Sequence, residues 1–239
     1  MMRGAMRRIA IILLAALAGP VPAFAQSCPE PLASARRLVL VTGEMSSKDA
    51  SVQRFERAAP ADPWRAIDAA SPALIGHNGM GWAQAFRSLA RRGEPVKAEG
   101  DKRAPAGIYR LGRSFGFAAS TRPDYLRVTD GMVCVDDVKS PAYNTITTRP
   151  AIGPKIHAEN MRHVPAYRNG LLVDYPSDAR TRAGSCIFIH VRLPDAKGTS
   201  GCVALPEAVV VALQDFAEPG AVLAVLPKEA RERLPGCLP

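Results

Sequence analysis

The stretch from Ile187 to Pro206 constrains this chain more than any other. Ile187-Phe188-Ile189-His190-Val191 is an apolar, β-branched run, and a polar loop containing Gly198 and Gly201 separates it from Cys202-Val203-Ala204-Leu205-Pro206. Such a run reads as a buried, central strand. It delivers one histidine, and the loop then brings the chain to a cysteine between a glycine and an aliphatic pair. A nucleophilic thiol needs a base and donors for the oxyanion it creates. Candidates here are Cys202, His190, and the amides of Gly201 and Cys202. Pro206 and Glu207 fit the first turn of a helix with Val209, Val210, Leu213 and Phe216 on its apolar face, and the helix N-terminus is expected to favour a thiolate at Cys202.

The rest of the chain reads as mainly β. Arg36 to Thr42 and Val52 to Arg57 are strand-like, with Pro60 and Pro63 breaking the chain before Trp64 to Asp68, a β-meander in outline. Gly76-His77-Asn78-Gly79-Met80-Gly81-Trp82 lacks the pattern of a phosphate loop and reads as a loop packed close to a site. A helix is expected over 83–92, with Trp82, Phe86 and Leu89 near one face, followed by a long polar connection over 94–107 and a strand at Ile108 to Leu111. Thr129-Asp130-Gly131 predicts a hairpin between Tyr125–Val128 and Met132–Val135. Residues 136–168 read as a polar loop, and Leu171 to Tyr175 and Ala221 to Leu226 as strands. No internal repeat or second-domain linker is evident.

Residues 1–25 have the form of an export signal, with Arg3, Arg7 and Arg8, an apolar segment too short to span a bilayer comfortably, and Ala23-Phe24-Ala25 before Gln26. A short extension over 26–35 and one domain over 36–239 follow. The mature protein is expected in the periplasm or cell envelope, without stable membrane insertion, and Ala25-Gln26-Ser27 is a poor context for lipid attachment at Cys28. In an oxidising compartment five cysteines leave one over after two bridges. Cys28 and Cys237 lie at the two ends of the mature chain, and Cys134 and Cys186 in strand-like runs; if these four pair, Cys202 is the spare thiol. The formal charge is +9, three of it from the leader arginines, so the remainder carries +6. That suits an anionic wall polymer or lipid headgroup, and scattered basic residues without interleaved aromatics argue against nucleic acid.

His190 followed by Thr199-Ser200-Gly201-Cys202-Val203, then a helix and a closing strand, resembles the signature of the YkuD-type L,D-transpeptidases: a histidine, a spacer of a dozen or so residues, then Ser/Thr-x-Gly-Cys and an aliphatic residue. Gly100 to Gly107 looks like that family's Pro-x-Gly turn. The resemblance implies a mainly β fold of packed, sandwich-like sheets with a few short helices, and cysteine acyl transfer on peptidoglycan stem peptides without a cofactor. It makes Cys202 the acylated nucleophile, His190 the base, Gly201 part of the oxyanion loop and Thr199 the hydroxyl neighbour, with carbapenem-type β-lactams as covalent inhibitors. Ser200 stands where many members have His, and Ala204 where many have Arg, which implies a different substrate-carboxylate contact, and Cys134-Val135-Asp136-Asp137 with Tyr143-Asn144 and the run Gly184 to His190 look like a variant branch of the family. Ser200, Asp136, Asp137, Tyr143 and Asn144 are the candidate substrate-binding residues, the two aspartates suiting an amine of a diamino acid.

Hydrolysis of the same bonds, as an L,D-carboxypeptidase or amidase, would use the same residues, and a non-catalytic wall-binding module is the rival from another class. A papain-like protease is disfavoured because its cysteine precedes its histidine. His157, Glu159 and His163 do not have zinc spacing, so no metal is expected. His77 reads as surface or pocket lining, and Arg162 and Arg168 as candidate carboxylate partners.

Overall fold

Runs of β-branched residues separated by turn formers fold as strands, and eight of these strands pair in a closed circuit. The computed structural model describes residues 28–239; the expected leader lies outside the described residues. In chain order the strands are β1 (Arg37–Gly43), β2 (Asp49–Glu56), β3 (Arg65–Ala66), β4 (Ser71–Leu74), β5 (Met80–Trp82), β6 (Ala104–Gly116) and β7 (Leu126–Arg127). They continue as β8 (Met132–Val135), β9 (Ile146–Thr148), β10 (Ala158–Asn160), β11 (Asn169–Val173), β12 (Phe188–Val191), β13 (Val203–Leu205) and β14 (Val222–Pro227). Pairing runs β1-β14-β6-β11-β12-β13-β4-β2, and β2 pairs back to β1. The fold is thus mainly β, with packed sheets joined edge to edge in a barrel-like circuit. β12 is paired on both sides, with β11 and β13, as its apolar run predicts. Only one register pair, Ala204 with Leu74, joins β13 to β4. Among the described residues, no helix is long and apolar enough to cross a membrane.

Alternation along the strands sorts side chains into two apolar clusters. Ile189, Val191, Val203 and Leu205 join the main core with Leu38, Leu171 and Leu223. Phe188 and Cys202 join a second cluster with Phe115, Cys134, Met161 and Tyr167, under a small sheet in which β8 pairs with β9 and β10. Helix α1 (Arg149–Ile152) follows β9, α2 (Glu207–Phe216) packs across β11 and β12, and α3 (Ala230–Arg233) follows β14.

Both ends of the described residues are fixed to the barrel. Cys28 is bridged to Cys237, and the Arg57 guanidinium donates to the carbonyls of Leu32, Ala33 and Ala35. Glu94 ties α3 to the fully buried Trp82: its carboxylate accepts two bonds from Arg233 at 2.6 Å and one from Trp82 Nε1 at 2.7 Å. The bonds from Arg233 come first in holding this carboxyl down at about 2, against an ordinary value of 4.5. A depressed carboxyl stabilises the fold above its unfolded pKa and ceases to do so as pH falls through the folded one. The contribution, about 3 kcal/mol, is therefore complete above about pH 4.5 and disappears toward pH 2. Glu94→Gln is expected to flatten this limb of the acid unfolding curve, read by circular dichroism; an unchanged limb would refute the assignment.

Several local expectations are corrected. Asp130-Gly131 forms a tight turn, with the Met132 N–H donating to the Thr129 carbonyl at 3.2 Å, but no hairpin. β7 pairs with β6, and β8 pairs with β9 and β10, because Val133, Cys134 and Val135 are buried under the small sheet rather than beside β7. The helix over 83–92 is a short 3-10 turn, Gln84–Leu89, with no buried residue, and Trp82 belongs to β5. β6 starts at Ala104, inside the expected loop, and residues 136–168 contain β9, α1, β10 and two 3-10 turns.

Candidate functional site

The register of β12 and β13 brings the two chemistry-bearing residues to one face. The strands run parallel, with Ile189 opposite Val203 and His190 opposite Ala204. Side chains alternate, so Phe188, His190, Cys202 and Ala204 face away from the barrel core. His190 and Cys202 are diagonal neighbours, roughly 7–8 Å apart at the backbone, and among the described residues no hydrogen bond joins them. On the other side, Gly170 of β11 is the register partner of His190, and a Cβ there would lie 2.3 Å from the Phe115 ring. Glycine thus lets that ring fill the space beside the histidine.

Cys202 is the one cysteine outside a disulfide, since Cys28 pairs with Cys237 and Cys134 with Cys186. It is 7% exposed. The Phe188 N–H donates to its sulfur at 3.4 Å, and its own S–H donates to the Cys186 carbonyl at 3.3 Å. Burial pushes the thiol up to about 12; the Phe188 amide, Lys97 and Tyr167 pull it down, and the Glu159 charge pushes it further up. The resting sulfur is therefore protonated and needs a base.

His190 is the imidazole on the same face. Its Nδ1 lies 3.0 Å from the Val191 carbonyl oxygen. A carbonyl only accepts, so Nδ1 carries the hydrogen and Nε2 is left with a lone pair. Burial lowers this histidine's pKa, opposed by the Val191 bond. Tyr167 stacks edge-on against the imidazole, centroids 5.5 Å apart.

The loop before Cys202 is tied to the glycine-rich loop. The Thr199 N–H donates to the Ile75 carbonyl, and the Thr199 carbonyl accepts from the His77 N–H. Gly198 permits this approach, because a Cβ on it would lie 2.9 Å from the Cα of His77. The reading of 76–82 as a loop against the site agrees with these contacts. His77 is exposed, with Nδ1 3.3 Å from the Lys197 carbonyl. Thr199 Oγ1 donates to the Cys202 carbonyl at 2.7 Å and accepts the Gly201 N–H at 3.1 Å. The Gly201 amide, expected to face an oxyanion, is thus taken up within its own loop, and Ser200 is exposed. The expected action of the helix N-terminus on Cys202 is also corrected. β13 intervenes, and α2 begins about 15 Å of extended chain further on, beyond the reach of a terminal dipole. Glu207, in the first turn of α2, instead takes both ends of the Arg168 guanidinium, at 2.7 and 2.8 Å.

The other candidates build the wall of the site. Asn144, at φ 60°, donates to the carbonyls of Tyr175 and Ser177 and accepts the Cys186 N–H at 3.0 Å, so it fixes the residue whose carbonyl holds the thiol. Tyr143 is buried and donates to Glu99, which also accepts the Ser185 hydroxyl at 2.7 Å. Asp136 pairs with the exposed His157, and Asp137 accepts the Lys139 N–H at 2.9 Å. Arg162 lies over the Phe117 ring at 4.2 Å. Not expected at the site from the sequence are Tyr167, Glu159, weighed there only as a metal-ligand type and 2.6 Å from Tyr167, and Lys97, which is 2% exposed and bonded to Asp101.

Fold and site together define a mainly β domain with a thiol and a neutral imidazole on the outer face of its barrel. No protein-family model matches the chain, and no curated protein matches it. Among solved structures it is similar to the helical cell shape determining protein Pgp2 from Campylobacter jejuni, with 18% identity, a TM-score of 0.40, and coverage of 83% of this chain and 51% of that one. It is also similar to Mycobacterium tuberculosis L,D-transpeptidase 1, with 11% identity, a TM-score of 0.34 and coverage of 80% and 62%. L,D-transpeptidase 3 from the same organism, in complex with a faropenem-derived adduct, gives 12%, 0.33, and 79% and 60%. The chain thus spans about half to three fifths of the length of these proteins, and the likeness at these scores carries no family membership.

Proposed function

We propose that the chain is an exported cysteine acyltransferase acting on peptidoglycan stem peptides, with the chemistry of an L,D-transpeptidase. The observation that carries this reading is the single unpaired thiol on the same outer face as an imidazole whose Nε2 is free to accept its proton. Two disulfides support an oxidising compartment, to which residues 1–25 direct the domain over 36–239. His190 Nε2 accepts the S–H proton as the Cys202 sulfur adds to the amide carbon after an L-centre. The C–N bond then breaks, the D-amino acid leaves with the proton from the imidazolium, and a thioester remains. An amine of a second stem attacks the thioester, gives its proton to His190, and the thiol is restored. The oxyanion donors are the Cys202 amide and, once Thr199 releases it, the Gly201 amide. Water in place of the amine makes the same site a carboxypeptidase.

The purified protein incubated with a carbapenem is expected to gain one adduct by intact mass, and Cys202→Ala to gain none. No adduct, or one that survives the substitution, would overturn the assignment. It would leave the wall-binding reading, which the burial of the thiol favours. Muropeptide products separate the two reactions: new cross-linked species mean transfer, trimmed stems alone mean hydrolysis.

A further inference from the structure

Beside the site runs a groove that neither the thiol nor the base uses. Its volume is about 490 Å³, and it lies on the outer face of β11 and β12 with Cys134, Ile146, Leu172 and Phe188 as apolar walls. Phe188 joins it to the chemistry, since the Phe188 N–H donates to the Cys202 sulfur at 3.4 Å. Strand register fixes the rest. Val203 is the partner of Ile189, so continuing that register sets Cys202 beside Phe188, and Phe188 is in turn the partner of Leu172. Asp174 follows Leu172 by two residues and shares its face. Gly112 of β6 agrees with this placement: a Cβ there would lie 3.2 Å from Leu172 Cβ and 3.3 Å from Asp174 Oδ1.

The polar side chains in the lining are Asn144, Tyr175 and Asp174. Asn144 donates to the carbonyls of Tyr175 and Ser177, and the Tyr175 hydroxyl donates to the Ala183 carbonyl. Asp174 is different. It is exposed, and among the described residues its carboxylate accepts no hydrogen bond and pairs with no cation. Asp136 and Asp137, which the sequence offers for an amine, are engaged with His157 and with the Lys139 N–H.

We propose that Asp174 is a specificity-determining residue: the groove takes the side chain of the residue whose acyl group Cys202 carries, with its methylenes on Ile146, Leu172 and Phe188 and a terminal ammonium on the Asp174 carboxylate. The inference rests on the reading of Cys202 as the nucleophile. Apolar walls that end at one unpaired carboxylate suit a straight alkyl chain with a cationic tip. Its length follows from the sheet. Two strand spacings across and two residues along put Asp174 about 12 Å from Cys202 at the backbone. A lysine-like side chain on a thioester carries its nitrogen roughly 9 Å from the sulfur when extended, and a hydrogen bond of about 3 Å covers the remainder. A side chain two methylenes shorter stops before the carboxylate, and one without the ammonium gains the apolar contacts alone.

The test compares two donor peptides that differ in the tip, Nα-acetyl-L-lysyl-D-alanine and Nα-acetyl-L-norleucyl-D-alanine, by kcat/KM for D-alanine release. The native protein is expected to favour the lysyl peptide about 5-fold, the upper end for an ion pair open to solvent. Asp174→Asn should bring that ratio to about 1, and Asp174→Lys should invert it through like-charge repulsion. Both substitutions are at an exposed position and are expected to keep the fold. A native ratio of about 1, or a preference that Asp174→Asn leaves unchanged, overturns the inference. Binding needs no chemistry, so both peptides are also titrated onto Cys202→Ala and followed by NMR at the Ile146, Leu172 and Phe188 amides. If neither peptide releases D-alanine, the acyltransferase reading fails and binding decides this inference alone. A lysyl preference that disappears when Asp174→Asn is added supports it, and equal binding of the two peptides overturns it.

Discussion

Replacing His190 by alanine lowers the rate of Cys202 acylation by a carbapenem by about 10²–10⁴-fold. The size follows from the state of the sulfur. With the thiol pushed up to about 12 by burial, a negligible fraction is thiolate at neutral pH, and proton removal has to accompany attack. Nε2 of His190 is the acceptor the geometry offers, because Nδ1 is held by the Val191 carbonyl. In the variant the residual rate comes from thiolate formed in solution equilibrium, so it should rise about tenfold per pH unit through the neutral range. The native protein should behave differently. Burial holds His190 below its ordinary value of 6.5, so the neutral base persists somewhat below that pH and acylation falls away only on its acid side. Stopped-flow or quenched mass measurement across pH distinguishes the two shapes. A variant that keeps the native profile would show that another group takes the proton.

The parts of this site legible in the sequence are those fixed by local pattern. The run ending in His190, the glycine-bearing loop, the spare cysteine among five and the helical face at Val210, Leu213 and Phe216 are each set by neighbours a few residues away, and each lies where its pattern placed it. What escaped depends on partners distant in the chain. Period-two alternation says which face a residue takes but not which strand it joins, so Asp130-Gly131 suggested a hairpin that the burial of Val133 and Val135 elsewhere prevents. β13 is three residues long, too short for its own periodicity to show, so the sequence pattern sets the helix N-terminus directly against the thiol. Glu159 lies in a three-residue strand within a polar stretch, where one inward carboxylate cannot be told from a solvated one. Its meaning appears only through its register with Cys134 and its bond to Tyr167. The sequence offers Asn144 and Tyr143 as substrate contacts, yet their polar groups bond within the fold, because the loop before β12 needs its own backbone and carboxylate partners.

Replacing both Cys134 and Cys186 by serine is expected to separate the reactivity of the thiol from its function. The bridge spans 52 residues of sequence, for which chain-entropy arguments give about 4 kcal/mol, and measured losses of 2–4 kcal/mol are typical. In a domain of this size the melting temperature should fall by about 10 °C. The local consequence is larger than the global one. Cys186 holds a left-handed φ of 55°, a conformation costing roughly 1–2 kcal/mol for a residue with a Cβ. The bridge to the buried Cys134 and the Asn144 side chain keep it there. In that conformation its carbonyl accepts the S–H of Cys202, while the small sheet covers the sulfur. Without the bridge Asn144 alone holds the turn, the carbonyl drifts and the cover loosens. Iodoacetamide should then reach Cys202 faster than in the native protein. Acylation by a carbapenem, which needs sulfur, imidazole and carbonyl carbon aligned, should slow by about 10²-fold, the scale of a 1 Å misplacement. Intact mass after timed exposure to each reagent reads both rates. If the two move in the same direction, the bridge acts only on access or only on stability, and the alignment role assigned to Cys186 is wrong.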